Sequence, residues 1–507
     1  MNRFNCKQFI KIAAAISLAL TLPMKARAGN TTEQSIPNFI VIFCDDLGYS
    51  DISCFGAKRK KTPHIDKMAS EGMRFTDFYV TAPVCSPSRA SLMTGCYPLR
   101  VDMSRSCKGP FMLLPGDQKG LNPSETTIAK ILKQQSYSTA CIGKWHLGDQ
   151  PQFMPNKQGF DYYYGIPYSN DMKRKSAKKG RLVNNSKHLP LFRNEKIIEL
   201  SPDQRFFTRN LTTEAVEFIR KNKDKPFFVY LSHIMPHLPI YASPEFNGKS
   251  EHGVYSDAIH ELDWSVGEIL RTLKELGIDD NTLVIFTSDN GATRRGENFP
   301  LSGSKGRILE GGMRVPCVMR WPKTIPAGKT CGELITVMDF LPTFTKLAGG
   351  DLPKTKLDGK DIFSLLSGQK DAKTPHEKFF YYRIDQLRAV RSGDWKLHLA
   401  VDPTLEGWDG VRKGTCELAL YDLKTDIGEK TNVADKHPEV IKRLLAYAEE
   451  ARKDIGDWQV KGTGQRKAGW EENPVHPTTT TDIKPNDWIG NPDSPQYDRG
   501  KKKPPEK

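Results

Sequence analysis

The chain has 507 residues, of which 38% are hydrophobic and 27% are charged, and its formal net charge at pH 7 is +15. This composition is that of a globular protein large enough for two domains, and it excludes a disordered chain, a collagen and a polytopic membrane protein. Residues 1–28 hold five basic residues and no acid, so the rest of the chain carries about +10. A basic surface favours acidic partners such as nucleic acid, anionic lipid or a sulfated polymer.

Residues 1–28 are predicted to be a secretory signal peptide. The basic start MNRFNCKQFIK precedes the apolar run IAAAISLALTL, and Ala26-Arg27-Ala28 has the small-x-small pattern of a cleavage site. The apolar run is too short to remain in a bilayer, so we expect no membrane insertion after cleavage. An exported protein, periplasmic or secreted, has little use for nucleic acid, and its basic surface then favours extracellular polyanions.

Short apolar runs alternate with amphipathic stretches between residues 38 and 349. The runs are rich in β-branched and aromatic residues, which is typical of strands buried on both faces of a parallel sheet. The fold expected is therefore a large α/β sandwich with a mostly parallel central sheet. The predicted strands are Phe39–Phe43, Thr139–Ile142, Phe227–Leu231, Leu283–Thr287 and Val315–Met319, and the predicted helices are Ser124–Gln135, capped by Ser124, and Ser256–Leu276.

The pattern changes after residue 370. Short strands are predicted at Phe379–Arg383, Leu387–Arg391, Lys396–Ala400 and Leu418–Asp422, followed by a helix at Pro438–Ile455. This order predicts a smaller α+β domain with an antiparallel sheet. From residue 460 the chain lacks periodicity and is expected to be an extended or poorly ordered tail. The expected boundaries are a signal peptide at 1–28, a main catalytic domain at 36–370, a C-terminal subdomain at 371–459 and a tail at 460–507.

Two predicted strands end in acidic pairs. Asp45 and Asp46 follow Ile-Val-Ile-Phe-Cys, and Asp289 and Asn290 follow Leu-Val-Ile-Phe-Thr-Ser. Ligands of open α/β sheets bind at the carboxyl ends of the strands. Asp and Asn after a single strand often make only a turn, but two such pairs brought together would repel one another without a cation. Three carboxylates and an amide oxygen predict a hard, all-oxygen site for Ca²⁺ or Mg²⁺.

The segment Cys85-Ser-Pro87-Ser-Arg89 lies between these pairs. Pro87 suits the first turn of a helix and Ser86 suits its cap, which would leave Cys85 just before the helix N-terminus. Backbone N–H groups at that end favour a bound anion, and Arg89 lies one turn further on. An alternative interpretation is a simple helix start with an incidental thiol.

The chain at this point resembles the formylglycine-dependent type I sulfatases, in particular arylsulfatase A and N-acetylgalactosamine-6-sulfatase, of the alkaline-phosphatase-like superfamily. Cys85-x-Pro87-Ser88-Arg89 followed by Thr94-Gly95 matches the signature that directs oxidation of the cysteine to Cα-formylglycine. The extended signature usually has Arg where this chain has Cys96. Further matches, in the family's order, are Asp45-Asp46-Leu-Gly-Tyr, Thr62-Pro-His-Ile-Asp66, Gly143-Lys144-Trp-His146, Pro236-His237, Ser288-Asp289-Asn290-Gly and Gly303-Ser-Lys305-Gly.

The resemblance implies a sulfatase with one Ca²⁺ per chain, matured by a formylglycine-generating enzyme. Asp45, Asp46, Asp289 and Asn290 would bind the calcium, together with an oxygen of modified residue 85. One hydroxyl of the aldehyde hydrate at residue 85 would attack sulfur, and loss of a proton from the other would expel sulfate and regenerate the aldehyde. The remaining roles implied are Arg89 to orient the hydrate, Lys144 and Lys305 to hold sulfate oxygens, His146 for proton transfer at the hydrate, His237 to protonate the leaving alcohol, and Ser169 to contact the substrate.

A sulfated carbohydrate is the expected substrate, with sulfate on a galactose-type sugar. Two alternatives are a phosphate-ester hydrolase of the same superfamily and a non-catalytic glycan-binding relative. The phosphate-ester hydrolases generally use Thr or Ser as the nucleophile and bind two metals. A non-catalytic relative would have lost several of the matched residues. A basic segment, with seven Lys or Arg between residues 173 and 187 and no acid, is either a solvated loop or a rim that grips an anionic polysaccharide.

Overall fold

The computed structural model describes residues 36–109, 112–172, 188–400 and 417–486. The predicted signal peptide and the basic segment 173–187 lie outside these ranges. No helix in the described ranges is both long enough and apolar enough to cross a bilayer.

A ten-stranded sheet forms the core of the main domain. Its five central strands are parallel, whereas the strands at both sides include antiparallel pairs, so the sheet is mostly parallel as predicted. The predicted strand near Val315 runs antiparallel to its central neighbour. From one edge to the other the strands are Lys329–Cys331, Met73–Phe75, Cys317–Arg320, Thr282–Ser288, Asn38–Cys44, Phe227–Ser232, Ser138–Lys144, Tyr162–Ile166, Pro190–Arg193 and Lys196–Leu200.

Helices cover both faces of the sheet because the central strands are apolar on both sides. In the strand Asn38–Cys44, Phe39, Val41 and Phe43 pack into one core cluster, and Ile40 and Ile42 into the other. Successive strand residues point to opposite faces, so a fully apolar strand requires two layers of helices. Helices with residues in the first cluster are Cys85–Thr94, Ile128–Gln134 and Phe340–Leu347; those with residues in the second are Pro63–Ser70, Phe207–Asn222 and Val254–Glu275.

The predicted helix at Ser124 begins later than expected. It spans Ile128–Gln134, and its N-cap is Thr127, whose side chain accepts a hydrogen bond from the backbone N–H of Lys130. Thr127 lies next to the first apolar residue of the helix, and Ser124 instead bonds the side chain of Asn122. The other predicted helix of this domain is confirmed as Val254–Glu275.

The C-terminal part of the chain contains the predicted antiparallel sheet. Its four strands pair in chain order, and the helix Pro438–Asp454 packs on them through Val440, Leu444 and Ala448. The strands are Phe379–Arg383, Gln386–Ser392, Trp395–His398 and Ala419–Asp422. The smaller α+β domain is thus confirmed, whereas its boundary at residues 370 and 371 stays a prediction.

Residues 460–486 are extended, but they make specific contacts with the main domain. Gly469–Trp470 pairs antiparallel with Lys119–Gly120, and the backbone N–H of Asn486 donates to the carbonyl of Leu200 on the edge strand. Short backbone pairings of this kind cannot be read from a segment without periodicity. The described part of the predicted tail is therefore fastened to the main domain.

Candidate active site

The two acidic pairs meet at the carboxyl ends of adjacent central strands. The strand Asn38–Cys44 runs parallel to Thr282–Ser288 with Cys44 opposite Ser288, so the residues that follow each strand are neighbours. Asp45, Asp46, Asp289 and Asn290 are all buried. Asp46 has a φ of 68°, and its backbone N–H donates to Oδ1 of Asp289 at 3.1 Å. The sheet thus brings together the four residues that the sequence nominated as metal ligands.

Three oxygens of this group are buried without a hydrogen-bond partner in the described protein: Asp45 Oδ1, Asp46 Oδ2 and Asn290 Oδ1. A buried carboxylate oxygen without a partner is costly, so its persistence indicates a ligand. Carboxylate and amide oxygens are the ligands that Ca²⁺ takes in proteins, so these residues fit the predicted calcium. Asp45, Asp46 and His237 each offer a ligand atom within 4.8 Å of the others.

Three cations neutralise the carboxylates from the other sides. Lys144 Nζ lies 2.6 Å from Asp45 Oδ2, Lys305 Nζ lies 2.6 Å from Asp46 Oδ1, and Arg89 Nη2 lies 2.6 Å from Asp289 Oδ2. All of these side chains are buried or nearly so. The two lysines thus lie at the acidic group, where a sulfate bound beside the metal would meet them.

The acids titrate differently because their neighbours differ. Burial raises the pKa of Asp45, but Lys144, His237 and Arg89 outweigh it, so the pKa lies well below its ordinary value. Burial and the charge of Asp45 raise the pKa of Asp289 to about 7, against the opposing effect of Arg89. Closely spaced buried acids of this kind favour a bound cation.

The helix that carries the candidate nucleophile starts at Cys85 itself. Its N-cap is Val84, without a side-chain hydrogen bond, so the expectation that Ser86 caps it is wrong. The Ser86 hydroxyl instead accepts a hydrogen bond from the backbone N–H of Leu113. The loop that carries Lys305 contacts the residues before the helix, because the N–H of Gly306 donates to the carbonyl of Pro83. Cys85 is 2% exposed, and burial raises the pKa of its thiol, so the unmodified residue is not a ready thiolate.

The two histidines have defined ring orientations. His146 Nε2 lies 3.0 Å from the carbonyl of Leu113, which requires the proton on Nε2 and leaves the buried Nδ1 without a partner. Burial, helped by Lys144, holds the pKa of His146 well below its ordinary value, so the ring is neutral at pH 7. A neutral ring with a free Nδ1 lone pair is suited to accept a proton.

His237 is bonded through Nδ1 to the carbonyl of Leu238 at 2.6 Å. Its other ring nitrogen, Nε2, lies 3.7 Å from Asp46 Oδ2, at the edge of the acidic group. The Ser169 hydroxyl lies 3.3 Å from Lys144 Nζ. Both residues are therefore next to groups that the sequence assigned to sulfate or metal.

Two supporting residues were not found from the sequence. Ser232, at the end of a central strand, accepts a hydrogen bond from Arg89 and donates to the carbonyl of Lys144. It approaches so closely that a Cβ on Gly143 would lie 1.8 Å from the Ser232 carbonyl oxygen, which explains the glycine before Lys144. Serines at strand ends are common and have many roles, so the sequence pattern indicated this one only weakly.

The second is Asp51, a fully buried carboxylate. It accepts the backbone N–H groups of Gly48 at 2.8 Å and Glu297 at 3.0 Å, and it pairs with Lys60 at 2.9 Å. These bonds tie the loop after Asp46 to the loop after Asn290. Asp51 lies two positions beyond the matched segment that ends at Tyr49, and its partner loop lies 246 positions away.

Comparison with known proteins places this geometry in a family. The Sulfatase family model matches residues 37–350, and a model for the C-terminal part of N-sulphoglucosamine sulphohydrolase matches residues 304–454. Curated relatives include steryl-sulfatases, arylsulfatase A and N-acetylgalactosamine-6-sulfatases. Human arylsulfatase A is 36% identical over 450 residues, which cover 80% of this chain and 86% of the relative. Human steryl-sulfatase is 36% identical over 431 residues, covering 70% and 74%.

Solved structures show the same similarity. The crystal structure of Ps i-CgsB in complex with k-i-k-neocarrahexaose superposes with a TM-score of 0.69 at 32% identity, covering 87% of this chain and 95% of the other. The resemblance that the motifs carry is thus confirmed over most of the chain. The chain belongs to the sulfatase family of sulfuric ester hydrolases.

Proposed function

We propose that this protein hydrolyses sulfate esters of carbohydrates, on galactose or N-acetylgalactosamine, after conversion of Cys85 to formylglycine and with one bound Ca²⁺. The observation that carries the proposal is the set of three unpartnered oxygens, on Asp45, Asp46 and Asn290, next to the buried Cys85 and Lys144 and to Lys305, whose side chain is 6% exposed. A site with both hard oxygen ligands and buried cations suits an anion bound to a metal.

Residues of the chain have separable tasks in this reaction. Lys144 and Lys305 would bind oxygens of the sulfate, and Arg89, bonded to Asp289, would keep the modified residue 85 oriented. The neutral His146 would take a proton from the hydroxyl groups at residue 85 through its free Nδ1. His237, with Nδ1 bonded to Leu238, presents Nε2 to protonate the leaving oxygen of the sugar. When bound, the calcium would act as a Lewis acid on the sulfate.

The carbohydrate assignment rests on relatives and on charge. A relative at 32% identity is solved with an oligosaccharide, and other relatives are named for arylsulfates, N-acetylgalactosamine 6-sulfate and steroids. The basic chain and the predicted export signal favour an extracellular sulfated polymer over a steroid. A formylglycine-generating enzyme is the implied maturation partner.

A phosphate-ester hydrolase remains the alternative. Within the described residues, a single group of three or more His, Cys, Asp or Glu ligands is close enough to hold a metal. This favours a one-metal sulfatase over a two-metal phosphatase. The same purified protein should therefore cleave 4-nitrophenyl sulfate much faster than 4-nitrophenyl phosphate.

The test is a substrate screen on protein made in a host that forms formylglycine. Mass spectrometry of the tryptic peptide should first give the converted fraction of residue 85. Activity against defined sulfated galactose, N-acetylgalactosamine, glucosamine and steroid compounds should then be highest on one of the first two. Turnover by protein whose residue 85 is entirely thiol would contradict the mechanism, and preferential cleavage of the steroid sulfate would contradict the substrate class.

A further inference from the structure

Position 96 is where this chain departs from the sulfatase signature, since a cysteine stands in place of the usual arginine. Cys96 is buried and directly follows Gly95, the left-handed C-cap of the helix Cys85–Thr94. A cation at the C-terminal end of a helix stabilises the helix dipole and its unpaired carbonyl groups. An arginine in the signature could serve this end of the helix with its charge, whereas the neutral Cys96 thiol donates only a weak hydrogen bond to the Thr94 carbonyl.

A guanidinium group is nevertheless present at this place, and it comes from the C-terminal segment. Arg466 Nη2 lies 3.3 Å from Cys96 Sγ, and Nη1 donates to the carbonyl of Lys356 at 3.2 Å. Nε and Nη2 also make a two-pronged ion pair with the buried Glu125, at 2.8 and 2.9 Å. Such paired contacts fix both the position and the plane of the guanidinium.

The backbone around Arg466 is fastened, so this contact does not depend on a free chain end. The backbone N–H of Arg466 donates to the carbonyl of Arg100 at 2.7 Å, and the N–H of Gly464 donates to the carbonyl of Asp454 at 2.8 Å. On the other side, Gly469–Trp470 pairs with Lys119–Gly120. Arg466 is thus held between two anchored points.

We propose that Arg466 substitutes in space for the arginine missing at position 96 and positions the Cys85 helix from its C-terminal end. The Arg466 guanidinium lies 3.3 Å from Cys96 Sγ, within the reach of the longer side chain that an arginine at position 96 would carry. The helix has only ten residues and begins with Cys85, so we expect an altered C-terminal end to shift residue 85. The effect on turnover rests on the proposed function, whereas the effect on stability does not.

The test is a double-mutant cycle with Arg466→Ala, Cys96→Arg and the two together. Arg466→Ala leaves Glu125 buried without its cation, and it should lower the Tm and reduce kcat by roughly tenfold through misplacement of residue 85. Cys96→Arg alone should also lower the Tm, because two guanidinium groups compete for one place. The double variant should be more stable than either single variant and recover most of the kcat.

Lys461→Ala is the matched control, because it removes an exposed cation from the same segment; it should leave the Tm and kcat unchanged. Each kcat is divided by the formylglycine fraction from mass spectrometry, since Cys96→Arg also changes the maturation signature. If Arg466→Ala fails to fold, Arg466→Lys, which keeps the charge but loses the two-pronged pair, replaces it in the cycle.

Additive changes in Tm, with the double variant the least stable, would overturn the proposal. Recovery of the Tm without recovery of kcat per converted molecule would restrict Arg466 to stability and would overturn its positioning role. If no variant or wild type turns over any sulfate ester, the proposed function fails, and the cycle in Tm still decides whether Arg466 and position 96 share one place.

Discussion

Arg89 holds Asp289 by two hydrogen bonds to a single oxygen, with Nε at 3.1 Å and Nη2 at 2.6 Å from Oδ2. Both side chains are fully buried. The Arg89 guanidinium also reaches Ser232 and the carbonyl of Lys144, so one cation joins the Cys85 helix to three central strands. The helix of the candidate nucleophile and the candidate metal ligand Asp289 are therefore fixed to one another.

Replacing Arg89 by Ala should be strongly destabilising. The change leaves Asp289 buried without its ion pair, for which we expect a loss of roughly 3–5 kcal/mol in the free energy of unfolding. Arg89→Lys keeps the charge but not the fork, so its loss should be smaller. Urea unfolding monitored by circular dichroism should give the order of stability wild type, then Arg89→Lys, then Arg89→Ala. Equal stability of the wild type and Arg89→Ala would contradict it.

Calcium should stabilise the protein. An ion that binds only the folded state at a hundredfold excess over its Kd adds about 2.7 kcal/mol to the free energy of unfolding. Chelation should lower the Tm, and added calcium should restore it. Asp289→Ala should abolish this response, whereas Asp280→Ala, which removes a surface acid paired with Lys323, should retain it. Full activity after exhaustive chelation, with no metal found by elemental analysis, would contradict the site.

Loss of His237 should depend on the leaving group. A sugar alkoxide is a poor leaving group and needs a proton, so His237→Gln should reduce kcat on a sugar sulfate by about 10²–10⁴-fold. On 4-nitrophenyl sulfate, whose leaving group needs little help, the loss should be much smaller. His260→Gln, outside the site, is the control. Equal losses on both substrates would assign His237 to binding instead of proton transfer.

A buried ion cluster between the two domains predicts acid sensitivity. Glu310 accepts hydrogen bonds from Lys396 Nζ and from the Tyr381 hydroxyl, each at 2.9 Å. Burial raises the pKa of Glu310, but Lys396, Arg391 and Arg314 outweigh it and lower the pKa to about 2. A carboxyl whose pKa is lowered on folding stabilises the protein above its ordinary pKa near 4.5, and this contribution is lost as the pH falls towards 2.

Glu310→Gln should therefore lower the free energy of unfolding at pH 7 by roughly 3–5 kcal/mol and weaken its decline in acid. Glu333→Gln, which removes a surface pair with Lys373, should change it by about 1 kcal/mol or less. Urea unfolding between pH 3 and pH 7 measures both. If the free energy of unfolding of Glu310→Gln falls with pH as steeply as that of the wild type, other groups cause the loss of stability in acid.

The sequence predicted the parts of the site that follow from local pattern. Asp45 and Asp289 were found because each ends an apolar strand, and strand ends converge at one edge of a parallel sheet. Cap positions were less reliable: Ser86 and Ser124 were expected to cap helices, but Cys85 and Ile128 are the first helical residues. A choice between neighbouring polar residues depends on tertiary contacts that a local pattern does not contain.

Contacts between distant segments could not be predicted from the local sequence pattern. Arg466 lies 370 positions from Cys96 and 341 from Glu125, and no periodicity relates them. The same holds for the support of the Lys305 loop, where Lys396 and Arg383 of the antiparallel sheet donate to the carbonyls of Ile308 and Gly306. The antiparallel sheet therefore supports the loop that carries Lys305, although none of the motifs matched to the family lies in the C-terminal domain.

The burial of Cys85 also sets an order of events in the life of the protein. Every residue of its helix is buried, so in the folded chain the thiol and its flanking signature are closed to another enzyme. If residue 85 is converted as proposed, the aldehyde has to form while this stretch is still unfolded, and a chain that folds first keeps the thiol. Under the proposed mechanism the active fraction is set by a race between oxidation and folding, and maturation enzyme added to the folded protein afterwards should not raise it.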